Sequence, residues 1–473
     1  MRSLLRQVMC WAWALGGLGV WCVGAPAAGE APPTDGVLEW RVKENSVDAR
    51  IEGWSLSRLL EAISAKTRWQ VYVEPRTRHT VVAKFHGLSA GEALRRLLGN
   101  LSYLLVPSTN GPAKLLIFQT SMDAATDLVA APRERAGDGK AHPLLGERVI
   151  RLKPGAKETV DELAQRLGAK VIGRADDLRA YRLKWDSEAA AQEAMAALAQ
   201  DTNVAGVAYN YPVAPPDLPE SLLGAGSVGF NPFPKATASG KQVVVGLVDT
   251  GVQTQGTPLK DYLLPALSVA GQASLPTDQP THGTGMAETI LAGIAQTPSA
   301  ADGTPVRILP VDVYGGSETT STFDVAKGIA DAISGGASII NLSLGGPDDS
   351  PLLHEVITSG YNQGVVFLAA AGNAPVSTPT YPAAYPEVVG VTATQGGQIA
   401  SYANFGNFIT AAAPGTSLIP YQDQTYVVVG TSTATAYVSA AAAVLMSTGH
   451  ATGPALTAQL RQLFGVPRPG GAP

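Results

Sequence analysis

An α/β architecture is predicted for the C-terminal half of the chain: a doubly wound, mostly parallel sheet, preceded by two small α+β units. Three observations carry that prediction. Residues 241–249, 338–344 and 365–371 hold apolar runs such as Val243-Val244-Val245-Gly246-Leu247-Val248, and a continuous apolar run is the mark of a strand buried on both faces. Helical patterns at 325–333 and 352–361 separate those runs; alternation of strand and helix argues a parallel sheet whose ligand sites lie at the carboxyl ends of its strands. Residues 430–447 are almost all small or apolar, with no charge between Asp423 and Arg461. A helix that is apolar on every side belongs inside a protein, and this one is too short to span a membrane.

At 473 residues, with 45% apolar and 15% charged side chains, the chain holds several domains and builds a large core. Net charge is −5 and no basic stripe is present, which excludes nucleic acid as a partner. Arg2 and Arg6 precede an apolar run over 8–24 and the small residues Ala25-Pro26-Ala27-Ala28-Gly29. Residues 1–29 therefore read as a secretion signal, and the protein as exported, to the periplasm or outside the cell. Cys10 and Cys22 are the two cysteines and both lie in that leader, so no disulfide or thiol chemistry is expected in the mature chain.

After a polar linker comes the first small unit, over 37–120. Leu56, Leu59, Leu60 and Ile63 give one apolar helix face, 69–73 alternates as a strand, Ser89 and Glu92 make a capping box, and 101–106 with 114–118 reads as a closing hairpin. Through Leu56-Ser57-Arg58-Leu59-Leu60, Val71-Tyr72-Val73 and Leu88-Ser89-Ala90-Gly91-Glu92-Ala93-Leu94, the unit resembles the short N-terminal domain of secretins and TonB-dependent receptors. That resemblance implies a partner in a Gram-negative-type envelope. His79 and His86 read as surface residues.

Residues 121–145 are a linker rich in Ala, Arg, Gly and Asp, and 146–216 form the second unit. Its strands fall near Val149-Ile150-Arg151-Leu152, Tyr181 to Trp185 and Val204 to Tyr209, its helices near Val160-Leu163-Ala164-Leu167 and over 188–199. The opening Val149-Ile150-Arg151-Leu152-Lys153-Pro154-Gly155 and closing Asn203-Val204-Ala205-Gly206-Val207 resemble the inhibitory propeptide of subtilisin-like proteases. A free-standing ferredoxin-like binding domain is the alternative. A tether with Pro212, Pro215, Pro216 and Pro219 leads from it into the last domain, 217–465, followed by a tail, 466–473.

Four polar residues stand at telling places in that domain. Asp249 closes the first apolar run and Asn373 follows the third. His282 opens a helix after a polar loop, in His282-Gly283-Thr284-Gly285. Ser432 follows a Gly-Thr turn at the N-terminus of the apolar helix, where unpaired N–H groups and the helix dipole favour developing negative charge. Taken alone, Ser432 also fits a Ser/Thr cap. Asp249-Thr250-Gly251 alone fits an aspartic protease, which needs two such motifs or a dimer, and an α/β-hydrolase needs a histidine after its nucleophile, where only His450 stands. Together the four supply a nucleophile, its base, the carboxylate that holds the base's tautomer and an amide donor for an oxyanion.

In the order Asp, His, Asn, Ser, this set resembles the subtilisin family. The motifs are Asp249-Thr250-Gly251-Val252, His282-Gly283-Thr284, Asn341-Leu342-Ser343-Leu344-Gly345-Gly346, Ala369-Ala370-Ala371-Gly372-Asn373, Ala413-Pro414-Gly415 and Gly430-Thr431-Ser432. The resemblance implies a monomeric serine endopeptidase made as a zymogen and acting on protein or peptide substrates. Asp249, His282 and Ser432 would be its triad and Asn373 its oxyanion donor. Ser343, Leu344 and Gly345 would form the edge to which substrate pairs, Gly372 would line the first specificity pocket, and Thr380 its floor. Ala374 leaves that pocket without charge. No cofactor is implied, and the stretch after Ala292 lacks the carboxylates of a calcium loop. The segment 210–213 is expected to pair with the Ser343-Leu344-Gly345 edge, and self-cleavage is expected between about 219 and 229. Gly285, Thr433, Ala436 and Tyr437 stand where the family usually has His, Met, Pro and His. They keep open a second reading, a catalytically degenerate envelope binding protein on the same scaffold.

Overall fold

The computed structural model describes residues 37–129 and 143–467, apart from 43–45, 75–76, 78, 107–112, 120–126, 215–219, 222–236, 238–241, 256, 272–273, 298–303, 318, 423 and 450. The expected leader, most of the stretch expected for self-cleavage and part of the loop after Ala292 lie outside the described residues. No described helix is long and apolar enough to cross a membrane.

The chain divides into two units, residues 1–131 and 132–473. In the first, the helix Leu56–Thr67 buries Leu56, Leu59, Leu60 and Ile63, the face its spacing predicts. The helix Ala90–Leu98 carries the full Ser89/Glu92 capping box and buries Leu94, Leu97 and Leu98. These apolar faces meet in one core with Val47, Ile51, Val71, Leu115 and Ile117 from the strands. One sheet joins Val37–Arg41, Ser46–Ser55 and Thr80–Leu88; the other runs Ser102–Val106, Lys114–Phe118, Gln70–Val73, Asp127–Val129. Asp127–Val129 is a strand inside the stretch expected as linker. It pairs antiparallel with Gln70–Val73, and Val129 packs against the core.

The second unit begins with four antiparallel strands in the order Val204–Tyr209, Glu147–Leu152, Ala180–Lys184, Lys170–Ala175, with the helices Val160–Arg166 and Glu188–Ala199. Burial along Glu147–Leu152 is nearly continuous because the sheet is covered on both faces. Ile150 joins Leu163, Leu183 and Leu198 beneath the unit's own helices. Val149, pointing the other way, joins Phe323, Val325 and Leu353 of the larger domain.

That larger domain is built on β1 (Val243–Asp249), β2 (Leu267–Ser268), β3 (Val306–Asp312), β4 (Ile339–Leu342), β5 (Val366–Ala370), β6 (Val388–Gln395), β7 (Gln398–Ile399) and β8 (Ala411–Pro414). The sheet order is β2-β3-β1-β4-β5-β6-β7, with β8 beside β6. All pairings are parallel except β6 with β7. Helices α1 (His282–Ala295), α4 (Thr431–Ser447) and α5 (Gly453–Leu463) pack on one face; α2 (Thr322–Ser334) and α3 (Pro351–Asn362) pack on the other. The alternation of β1 shows the division: Val243, Val245 and Leu247 face α1 and α4, while Val244 and Val248 face α2 and α3. This is the doubly wound, mostly parallel architecture that the apolar runs predict.

Glu288, six residues past His282 on α1, is 1% exposed, and neither carboxylate oxygen has a hydrogen-bond partner among the described residues. Burial pushes its carboxyl well above the ordinary value of 4.5. The folded chain thus holds this proton more tightly than the unfolded chain. The associated stability is complete below about pH 4.5 and is lost as pH rises toward the raised folded value. Glu288→Gln, which stays neutral, is expected to melt like the parent near pH 4 and at a higher temperature than the parent as pH rises above about 5. Thermal melts in a Ser432→Ala background check this; a difference in Tm that does not change with pH would contradict it.

Candidate active site

Asp249 is the last residue of β1 and fully buried. The loop after it is tied to the first turn of α1 from both sides. Gly283 N–H donates to Thr250 Oγ1 at 2.9 Å, and Thr281, the N-cap of α1, donates from its hydroxyl to the Gly251 carbonyl at 2.7 Å. Gln253 adds a third tie, its Oε1 accepting from Thr281 N–H at 2.7 Å and from the Thr284 hydroxyl at 2.9 Å. These bonds set His282, 1% exposed, with Nδ1 at 2.8 and 3.0 Å from the two Asp249 oxygens. An ionised carboxylate only accepts, so Nδ1 carries a proton, and in the neutral imidazole Nε2 is then the acceptor.

Ser432 is the second residue of α4 and is 8% exposed. The residue before the helix is Gly430, at φ 147°, with no side-chain capping bond, which removes the Ser/Thr-cap reading. A relay fixes this turn to β4. Ser439 donates to Asn341 Oδ1 at 2.9 Å, Asn341 Nδ2 to Ser343 Oγ at 2.9 Å, and Ser343 Oγ to the Ser432 carbonyl at 3.3 Å. The Ser432 hydroxyl donates to the Ser343 carbonyl at 3.3 Å.

Asn373 lies three residues past β5. Its Oδ1 accepts from Thr431 N–H and from the Thr431 hydroxyl, both at 3.0 Å, while Thr431 Oγ1 accepts from Gly372 N–H at 3.0 Å. Thr431 thus fixes the amide oxygen of Asn373, and the NH2 is the donor end of that amide. Direct bonds thus unite Asp249 with His282, Ser432 with Ser343, and Asn373 with Gly372 through Thr431. Thr380 donates its hydroxyl to the Ala371 carbonyl at 2.6 Å, so it braces this loop. Leu344 is buried in the apolar cluster on the α2 and α3 face. Thr431, Gln253 and Asn341 were not singled out from sequence. Thr431 and Asn341 lie inside recognised motifs, but nothing in periodicity marks Thr431 as the partner of an amide far away in the chain.

The segment after Val204–Tyr209 approaches this region by a different edge from the one expected. Pro212–Val213 pairs antiparallel with Thr320–Ser321, and Thr322 N–H donates to the Tyr211 carbonyl at 2.9 Å. The Tyr314 hydroxyl donates to the Ala214 carbonyl at 2.9 Å, and Val213 is buried among Val325, Leu344 and Leu353. On the other side the backbone of Gly346, next to Gly345, already pairs with Tyr381 through bonds of 2.9 and 2.7 Å. Beyond the tether, Glu220–Ser221 pairs with Gln424–Val429, the strand that leads into Gly430.

Residues 240–464 match the profile of the subtilase family, and residues 130–210 match that of the fervidolysin N-terminal prodomain. Thermitase of Thermoactinomyces vulgaris is 34% identical over 218 residues, 45% of this chain and 78% of thermitase. Subtilisin DY of Bacillus licheniformis is 34% identical over 215 residues, 44% of this chain and 78% of that protein. Among solved structures, fervidolysin from Fervidobacterium pennivorans, described as a keratinolytic enzyme related to subtilisin, superposes with a TM-score of 0.52 at 22% identity. The superposition covers 70% of this chain and 58% of that one, a likeness of fold.

Two glycines permit the close approaches in this site. A Cβ on Gly283 would lie 2.2 Å from the Thr250 carbonyl oxygen, and one on Gly430 would lie 2.9 Å from Asn373 Nδ2 in a backbone conformation that side chains rarely adopt. Gly430→Ala is expected to lower stability by about 1–3 kcal/mol, and Gly283→Ala by at least as much, since its obstacle is backbone. Urea midpoints of both variants in the inactive Ser432→Ala chain measure this; a midpoint unchanged by Gly283→Ala would contradict the geometry.

Proposed function

The chain belongs to the subtilase family and is a serine endopeptidase with an N-terminal prodomain, and on that premise we propose that Asp249, His282 and Ser432 are its catalytic triad and Asn373 its oxyanion donor. The observation that carries the proposal is the bond from His282 Nδ1 to both oxygens of buried Asp249, at 2.8 and 3.0 Å. With Nδ1 protonated, Nε2 takes the Ser432 proton as Oγ attacks the peptide carbonyl, and Asp249 stabilises the imidazolium that forms. For this the Ser432 hydroxyl leaves the Ser343 carbonyl and turns to His282; such bonds tighten only once substrate is bound. Negative charge develops on the substrate oxygen, where the Asn373 NH2 and the Ser432 N–H at the start of α4 meet it. The proton on His282 then passes to the leaving amine, and water repeats the sequence on the acyl-enzyme.

Residues 146–216 are read as a propeptide that keeps the enzyme silent until it is cut away. The antiparallel pairing of Pro212–Val213 with Thr320–Ser321 supports this, because an extended peptide added to an exposed edge is how a substrate binds. A tethered segment needs little intrinsic affinity, since its effective concentration is high. Gly372, Ala374 and Thr380 make a first pocket for small or medium uncharged side chains. The leader is read as directing export to the periplasm or the outside. Residues 37–120 are read as a binding module of the secretin and TonB-dependent receptor type, with an envelope protein as partner.

A fluorophosphonate probe separates a working protease from a degenerate scaffold. Labelling of the processed chain that disappears in Ser432→Ala is expected, and processed protein that takes no label would sink the triad. Expressed in a protease-deficient host, Ser432→Ala should keep its prodomain while the parent loses it; identical processing of both would remove the zymogen reading. Asn373→Ala should lower kcat by about 10²–10³ with KM little changed. A loss confined to KM would make Asn373 a substrate contact only.

A further inference from the structure

Asn404 stands in the loop between β7 and β8 and is 1% exposed. Among the described residues its side-chain hydrogen bonds go to the loop that carries Asn373. Nδ2 donates to the Ala371 carbonyl at 2.7 Å; Oδ1 accepts from Ala374 N–H at 2.9 Å and from Val376 N–H at 3.4 Å. Its own N–H donates to the Gly372 carbonyl at 2.9 Å, and its carbonyl accepts from the Thr392 hydroxyl on β6 at 2.6 Å. The loop is therefore gripped on both sides of residue 373 by one side chain that is itself anchored to the sheet.

We propose that Asn404 is a positioning residue for the oxyanion hole, acting through Asn373; this rests on the reading of Asn373 as the oxyanion donor. The chemistry of the grip favours a carboxamide. The site presents an acceptor, the Ala371 carbonyl, and two donors, Ala374 and Val376 N–H, a few ångströms apart. A planar amide offers a donor and an acceptor at that spacing. An aspartate keeps the two accepted bonds but sets an oxygen against the Ala371 carbonyl. An apolar replacement takes the acceptor from the Ala374 and Val376 N–H groups and leaves the Ala371 carbonyl with the Thr380 hydroxyl. Gly372, at φ 102°, has no Cβ where Asn404 Nδ2 sits; a Cβ there would be 2.7 Å from that nitrogen. Thr431 holds the amide oxygen of Asn373 and Asn404 holds the backbone on either side of it, so the donor NH2 is located from two directions. A preorganised donor acts only if it stands about 2.7–3.1 Å from the developing oxyanion, and a displacement of about 1 Å costs on the order of 10²-fold.

A double-mutant cycle tests this on the full chain after normal processing, with kcat normalised to fluorophosphonate-titratable sites so that misfolded protein is not counted. The four enzymes are the parent, Asn404→Asp, Asn373→Ala and the double variant, assayed on a peptide p-nitroanilide. Asn404→Asp is expected to lose about 10-fold or more in kcat with KM within about twofold, and to add less than about threefold loss when Asn373 is already Ala. Equal losses in both backgrounds, or an unchanged kcat, would overturn the positioning role while leaving Asn373 in place. An Asn373→Ala enzyme with unchanged kcat would remove the oxyanion reading itself, and this proposal with it. If Asn404→Asp yields no titratable protein, Asn404→Ser, whose hydroxyl can still meet Ala374 N–H, is run through the same cycle with the same outcomes.

Discussion

The burial of one uncharged helix governs the rest of the larger domain. From Thr431 to Ser447, α4 has no polar face, so it lies in the interior against α1 and the sheet. The start of such a helix carries N–H groups that need partners. Gly430 supplies no capping side chain, and the first partner comes from elsewhere in the chain, Asn373 Oδ1 on Thr431 N–H. The requirement that an apolar helix be buried thereby brings a helix N-terminus, with its partial positive charge, beside the carboxyl ends of β1 and β5. Asp249 and Asn373 are the residues waiting there.

Most of the polar groups around that turn are satisfied in relays, as in Ser439 to Asn341 to Ser343 to Ser432, and a fully bonded buried network holds one arrangement. The exceptions lie in α1 and α4. Neither oxygen of Glu288 nor the Thr433 hydroxyl has a partner among the described residues. Gly285 and Glu288 are three apart on α1 and share a helix face. Tyr437 and Ala440 crowd Gly293 on the same helix, with a Cβ there 2.7 Å from Ala440 Cβ. Three of the positions where this chain departs from the family pattern, Gly285, Thr433 and Tyr437, thus lie beside unsatisfied groups or in a tight helix–helix seam. They lie in the packing between α1 and α4, and the Asp249–His282 bond is in place beside them.

What was legible from sequence follows from what has a period or a place. The apolar runs that became β1, β4 and β5 are continuous because both sheet faces are covered, and a strand end is a definite position, so Asp249 and Asn373 could be named from it. The capping box at Ser89 is local and was equally readable. Asn404 and Gln253 were not, because each works through hydrogen bonds to residues about 30 positions away, from loops without periodicity. Asp127–Val129 escaped notice because three residues are too few to show alternation. The edge that receives Pro212–Val213 was misjudged for a related reason. The Ser343-Leu344-Gly345 stretch has a family signature, whereas Thr320–Ser321 has none, and only tertiary contact makes it the receiving strand.

The prodomain illustrates how one surface can serve two ends. Asn210 Oδ1 accepts from Phe323 N–H and from the Thr322 hydroxyl, both at 3.2 Å, and its Nδ2 donates to Glu147 at 3.0 Å. It therefore satisfies a first-turn N–H of α2 that belongs to the larger domain. Arg182 reaches Asp324 at 2.7 Å and Ser321 at 3.1 Å in the same turn, while Arg151 pairs with Glu355 on α3. Val149, Ala175 and Ala180 cover the apolar face of Phe323 and Val325. These contacts stabilise the folded larger domain, because without the prodomain α2 would begin with an uncapped N–H and an exposed phenylalanine. They also aim the following residues, Pro212–Val213, along Thr320–Ser321, one residue before α2 begins. Holding the start of α2 and aligning Pro212–Val213 are thus not separable by sequence position: weakening the grip on α2 would loosen the pairing of Pro212–Val213 with Thr320–Ser321.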